Sequence, residues 1–297
     1  MSLFDAVIQG IIQGLTEFLP VSSSGHLSVY QHFAGVSQGS NVLTTVMLHL
    51  GTLVAVVIAF HKKIISLIKE FFLMFKDIFT GKFKWSEMNA DRRMIFMIII
   101  SILPLFGFYV FRHIFTKVSE DNDIIVEGVC FLYTSAILFI GSYISKKNEQ
   151  MGRSLKTTLN MNPVDAIVIG IFQGIALLPG VSRSGSTISG AQIIGMKRED
   201  SVEYSFILGI PVIMAGALSE LMDAGAEDAV AAVSPVPIIV GMVVAGITGY
   251  FAIILIKWLM KSDRFTIFSI YTLILGLAVL AAGIYENVTD TFLYDIF

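Results

Sequence analysis

The chain predicts an all-α polytopic membrane protein: six transmembrane helices plus two re-entrant helical hairpins in an inverted-topology repeat. Three observations carry that expectation. Hydrophobic residues make up 55% of the 297 and charged residues only 14%, where soluble domains carry about a quarter charged; mean hydropathy is +0.78. Basic residues crowd into alternate connections between the apolar runs. A polar, glycine-rich stretch near the N-terminus returns at an offset of 160 residues.

In chain order, Leu3–Phe18 is apolar and stops at Leu19-Pro20, because proline cannot continue a helix. A serine run follows, in which Ser22 or Ser24 can cap a new helix. Helix from Leu3 to Phe18 reaches roughly 24 Å at about 1.5 Å per residue, short of a secure crossing. Leu3–Tyr30 is therefore expected to enter and leave on one side. Val42–Phe60, Met94–Phe111 and Ile124–Ile144 each match the roughly 20 apolar residues that span a bilayer. Between the first two lies a basic loop, His61–Arg93. Its interleaved Phe71, Phe72, Phe75 and Phe79 predict an amphipathic helix on the cytoplasmic leaflet. In the second half, Ala166–Leu178 stops at Pro179-Gly180, Ser182 or Ser184 is the cap, and Val202–Met222, Val236–Ile256 and Phe265–Tyr285 are the spans. One integral membrane domain, 1–297, results, with internal repeats at about 1–145 and 161–290.

The charges give the orientation. Basic residues fill 61–93, the stretch from Lys146 to Lys156, Lys197-Arg198 and the stretch from Lys257 to Arg264. The alternate connections carry only Arg112 and Lys117, and the linker Asp223–Pro235 and the tail Glu286–Phe297 are acidic. The positive-inside rule places the basic loops in the cytoplasm and both termini outside. Six crossings satisfy this only if Leu3–Tyr30 and Asp165–Ile194 both re-enter. No basic region or cleavage site marks the N-terminus as a removable signal. Cys130, the single cysteine, sits in an apolar run and is expected to pack there.

The repeat locates the chemistry. DAVIQGIIQGLTEFLPVSSSG, Asp5–Gly25, aligns without gaps on DAIVIGIFQGIALLPGVSRSG, Asp165–Gly185. Identities fall on Asp, Gln, Ser and Gly positions, which shared hydrophobicity does not explain. Three crossings follow each copy, so the second copy runs inverted, and sites in such folds form where broken helices meet near the midplane. The first turn offers Gln13 and Glu17 on one helix face, at i and i+4, with Ser22, Ser23, Ser24, Gly25 and His26. A carboxylate with an amide one turn away is a candidate oxygen site for a hard cation. An ionisable group at membrane depth costs at least roughly 2.5–3.5 kcal/mol, which favours function over packing for Glu17. His26 is a candidate proton carrier.

The second turn holds Arg183, the one basic residue outside the loops, among Ser182, Ser184, Gly185, Ser186 and Thr187. A guanidinium fork and the first N–H groups of a half-helix suit phosphate; the bland alternative is a structural Arg183–Glu17 pair. A phosphate ester carries about −1.5 to −2, more than one arginine opposed by Glu17 neutralises, so a divalent ion at Glu17 and Gln13 is expected. Nothing points to nucleic acid.

Gln-x-x-x-Glu followed by FLPVSSSGH, together with PGVSRSGST, resembles the two signature motifs of the undecaprenyl-pyrophosphate phosphatase family of the bacitracin-resistance type. The resemblance spans nearly the whole chain. It implies hydrolysis of undecaprenyl pyrophosphate, a polyprenyl pyrophosphate lipid, to the monophosphate in the bacterial cell membrane, with Mg²⁺ or Ca²⁺ as cofactor and a homodimer as an allowed assembly. By the same resemblance Glu17, His26, Ser22, Ser23 and Arg183 are catalytic, and Ser182, Arg183, Ser184, Gly185, Thr187, Ser24 and Gly25 bind substrate. Gln13 stands where the pattern also admits Glu, and an amide is the weaker metal ligand. Attack by Ser23 or Ser22 and attack by water both remain open. A lipid flippase on the same inverted repeat is the alternative function, and the site is expected to open to the outer face.

Overall fold

The computed structural model describes residues 2–35, 42–110, 124–224, 234–262, 264–289 and 292. Arg112, Lys117, most of the acidic linker after Asp223 and most of the tail after Thr289 lie outside them. Eleven α-helices occupy the described residues: α1 (Leu3–Phe18), α2 (Ser23–Phe33), α3 (Val42–Ala59), α4 (His61–Phe79), α5 (Ala90–Tyr109), α6 (Ile125–Gln150), α7 (Pro163–Ile175), α8 (Arg183–Ile193), α9 (Arg198–Ala224), α10 (Pro235–Lys261) and α11 (Thr266–Thr289). Six of these, α3, α5, α6, α9, α10 and α11, are long and apolar enough to cross a membrane. Their outward faces stay apolar, with Phe106, Phe139, Phe251 and Ile274 exposed, as lipid contact requires.

The pairs α1/α2 and α7/α8 sit among these spans. Asp5 and Asp165, matched in the repeat, do one job: each closes a capping box at the start of its helix, with Ser2 and with Asn162. Both pairs close at their bases. Tyr30 donates to Asp5 at 3.1 Å, while Lys156 reaches Asp165 at 2.6 Å and its backbone N–H reaches the Gly195 carbonyl.

Each pair packs on a span from the other half of the sequence, α1 along α10 and α7 along α5. Glycine makes this approach close. A methyl group on Gly10 would stand 2.6 Å from the Gly241 carbonyl, and one on Gly14 2.5 Å from that of Ala245. Gly170 and Gly174 meet Ser101, Pro104 and Phe108 of α5 in the same way. Small residues let membrane helices touch backbone to backbone. Two cores result: Phe18 and Val21 with Ala252, Ile253 and Ile256, and Ala166 and Ile169 with Met94, Met97 and Tyr204.

Several spans run a few residues beyond the expected bounds, and the first helix of the second pair differs at both ends. α7 begins at Pro163, before Ala166, because Asn162 caps it and proline suits the first helical turn. It also ends earlier, at Ile175. Leu177 and Leu178 bond three residues back, tightening the chain before Pro179 arrives. The basic loop holds helix only over α4, with a short 3₁₀ turn at Trp85–Glu87 before α5.

Candidate active site

The tips of the two pairs meet. Ser22 is the N-cap of α2 and accepts the Gly25 N–H at 3.2 Å; Ser182 is the N-cap of α8 and accepts the Gly185 N–H at 3.0 Å. The matched serines and glycines are thus one capping device used twice. Gly25 is forced by packing, since a methyl there would stand 2.8 Å from the Phe131 ring. Ser22 adopts φ 75°, a conformation that side chains other than glycine's rarely take and that costs of order 1–3 kcal/mol. Across the seam the Gly180 N–H donates to Ser24 Oγ at 3.1 Å, and the Ser182 N–H donates to Thr134 Oγ1 of α6 at 3.2 Å.

Between the tips lies a cavity of about 330 Å³ lined by Glu17, Ser22, Ser23, Ser24, Ser182, Arg183 and Ser184, among others. Glu17 is its hub. Arg183 Nη2 donates to Glu17 Oε1 at 2.7 Å; Ser23 Oγ at 2.7 Å and Gln13 Nε2 at 3.0 Å both donate to Oε2. The second arm of Arg183 donates to the Gly209 carbonyl at 3.2 Å. Glycine at 209 leaves room for this arm, since a methyl there would stand 2.6 Å from the guanidinium and push it aside. Burial of Glu17 is offset by these donors, as a charge away from water requires. Helices α2 and α8 both start at the cavity, so two positive helix ends face whatever occupies it.

Not every expected residue faces the cavity. His26 is turned aside: its Nδ1 lies 2.7 Å from the Ser22 carbonyl and its Nε2 2.8 Å from the Tyr271 hydroxyl. It stacks on the Tyr271 ring and braces α2 against α11, while Ser23 is held by Glu17. Thr187 points to α9, 2.5 Å from Ser205 Oγ. Gly25 and Gly185 act through their backbones.

His49, of α3, and Glu220, of α9, also line the cavity. His49 Nε2 stands 3.9 Å from Glu17 Oε2, and Glu220 is exposed at the rim. A signal was present, since His49 and Gly209 are partners under the 160-residue offset and both border the site.

Gln13 and Glu17, the expected cation ligands, stand side by side on α1, with Gln13 Nε2 donating to Glu17 Oε2. Among the described residues no three His, Cys, Asp or Glu side chains stand together as ligands. Both Glu17 oxygens are already taken, and Gln13 turns its NH₂ to Glu17, leaving its buried Oε1 without a partner. A hard dication held at Glu17 would take its other oxygens from phosphate and water, as Mg²⁺ does where one or two carboxylates hold it against a substrate's phosphates.

Residues 6–278 match the family model described as bacitracin resistance protein BacA. The chain is 36% identical over 282 residues to an undecaprenyl-diphosphatase of Alkaliphilus metalliredigens, covering 94% of this chain and 98% of that one. It is 36% identical over 291 residues to one of Carboxydothermus hydrogenoformans, covering 95% and 99%. For one of Treponema denticola the identity is 35% over 282 residues, covering 94% and 97%. The match runs through both turns and through the spans that hold them, and the chain belongs to the bacitracin resistance protein BacA family.

Proposed function

We propose that this chain is an undecaprenyl-diphosphatase of the bacterial cell membrane. It removes the terminal phosphate of undecaprenyl pyrophosphate and so returns the lipid carrier for cell-wall synthesis. The observation that carries the reading is the Ser23–Glu17–Arg183 chain of hydrogen bonds inside a cavity built from two helix N-termini. It unites a nucleophile, a base and an anion clamp.

In the reaction Ser23 Oγ attacks the terminal phosphorus. Its proton passes to Glu17 Oε2, the Oγ–P bond forms, and the P–O bond to the lipid monophosphate breaks. Water then hydrolyses the phosphoserine, and Glu17 returns the proton. Arg183 and the first N–H groups of α2 and α8 hold the phosphate oxygens, where developing charge is best stabilised. His26 fixes the α2 backbone at Ser22, next to the nucleophile. A divalent ion, Mg²⁺ or Ca²⁺, would be held at Glu17 and would offset the charge of the pyrophosphate.

The two helix pairs are re-entrant hairpins. Their closed bases and meeting tips support this, and the basic connections support an opening towards the outer face. A homodimer through the exposed apolar spans is compatible with the fold, and cross-linking in the membrane tests it. Phosphate release by purified protein in detergent, where no two compartments exist, separates an enzyme from a flippase. Ser23→Ala should abolish turnover, and a trapped phosphoserine in wild type confirms the covalent route. Turnover by folded Ser23→Ala overturns it in favour of water.

A further inference from the structure

We propose that α4 lies in the plane of the cytoplasmic membrane surface and docks on anionic phospholipid, with Lys62, Lys69 and Lys76 as the row that binds headgroups. The inference is independent of the phosphatase reading, since no residue of α4 borders the cavity.

Helix α4 turns its mixed-charge face inward. Lys63 pairs with Asp91 at 2.7 Å and with Glu203 at 3.3 Å, Ser66 donates to Asp91, and Glu70 and Asp77 both pair with Arg92 at 2.8 Å. These partners fix the direction of the helix. From Lys63 to Asp77 it runs about 21 Å at about 1.5 Å per residue, yet Asp91 and Arg92, both in the first turn of α5, reach the two ends of that run. A helix lying alongside α5 would carry one end out of their range, so α4 crosses the start of α5. Its height is fixed as well. α4 follows α3 after the single residue Phe60, and Lys257, near the end of α10, sits 3.6 Å over the Phe60 ring. Trp258 beside it and Trp85 beyond the far end of α4 are the chain's two tryptophans, both about half exposed, and tryptophan marks the membrane interface.

The outward face carries the pattern that names its partner. Lys62, Lys69 and Lys76 recur every seven residues, so they stand in one row two turns apart. Three residues after each comes an apolar anchor on the same face, Ile65, Phe72 and Phe79, and all six side chains are exposed. Among the described residues none of the three lysines has a carboxylate partner. The acidic groups that would repel a negative surface, Glu70, Asp77 and Asp91, are all turned inward into ion pairs. Sorting of this kind leaves a face of apolar and purely positive groups at the height of the lipid phosphates. Anchors there enter the acyl region while lysine stems extend back to the headgroups. The row of cations selects anionic phospholipid over zwitterionic.

The test puts a fluorophore at Phe72→Cys, with Cys130→Ser removing the other thiol, in nanodiscs that mix phosphatidylcholine and phosphatidylglycerol. Either lipid is supplied in brominated form. Both should quench the label, and brominated phosphatidylglycerol should do so at about a fivefold lower fraction. Replacing Lys62, Lys69 and Lys76 together by Gln, or raising salt to about 1 M, should remove that preference and leave the quenching. A label reached by aqueous iodide and by neither lipid lies in water. A label reached by none of the three is covered by protein, such as a second copy of the chain. Either result overturns the proposal. Equal quenching by the two lipids when the lysines are intact overturns the anionic assignment, and a preference that survives the Gln replacements overturns the lysine row. A label at Phe79→Cys, 84% exposed, gives the same readout if Phe72→Cys misfolds.

Discussion

The two turns of the repeat share a frame and differ in what it carries. Both have a serine N-cap, a glycine at the third helical position, and a helix that starts at the cavity. Under the 160-residue offset Ser23 is matched by Arg183, and Glu17 by Leu177. On the proposed mechanism the first turn holds the nucleophile and its base, and the second holds the clamp. The repeat reproduces a backbone that presents two helix ends, and the chemistry comes from the places where the copies disagree. A symmetric pair of turns would have put two clamps or two nucleophiles in one cavity.

The largest effect should come from breaking the asymmetry itself. Ser23→Ala is expected to lower kcat by at least about 10³-fold and Arg183→Ala to lower kcat/KM by about 10²–10³-fold. The arginine change should also destabilise the fold by about 3–5 kcal/mol, since it leaves Glu17 buried without its cation; thermal unfolding in detergent reads this, and a wild-type melting curve would contradict the pair. Next come the packing glycines, where the halves differ. A methyl on Gly14 meets the Ala245 carbonyl and the Gly249 N–H, fixed backbone, whereas one on Gly174 meets the Phe108 ring, a side chain that can move. Gly14→Ala should cost about 1–3 kcal/mol and Gly174→Ala less. Equal losses would mean that α10 yields as easily as Phe108.

Smaller effects sharpen the comparison. Ser24→Ala removes the bond to the Gly180 N–H and should cost about 1 kcal/mol, with little change in chemistry. Smallest of all is the contrast between the two caps. Ser182 has φ −71° and Ser22 φ 75°. Glycine as a cap loses only a few tenths of a kcal/mol relative to serine, and at Ser22 it also relieves the strained φ. Ser22→Gly should therefore leave stability unchanged or raised by about 1 kcal/mol, while Ser182→Gly lowers it slightly. A loss at Ser22 as large as that at Ser182 would refute the strain.

Much of this was legible in the chain because it is local. The helix break before Pro20 and the serine caps depend on residues within a few positions and apolar runs set the spans, whereas the second break falls at Ile175, ahead of Pro179. The pairing of Glu17 with Arg183 was weighed from sequence only because the repeat brought the two turns together. What could not be read depends on long-range contact. Tyr271, 245 residues from His26, decides that His26 braces a helix instead of lining the cavity. The way the Gln13 amide meets Glu17 is likewise set by the donors that gather on that carboxylate from α2 and α8. That Glu17 lies across the gap from His49 is likewise set by how α1 and α3 pack.

The close seat of α1 on α10 has a consequence for how the protein is made. Gly10 and Gly14 find their partner surface at Gly241, Ala245 and Gly249, more than two hundred residues later in synthesis. Ser23 and Glu17 are therefore made long before the helix that holds their turn, and before Arg183, which pairs with Glu17. Non-local pairing of this kind delays assembly. The chain acquires its activity late, close to the end of translation, and a truncated product should carry a serine with no anion to act on.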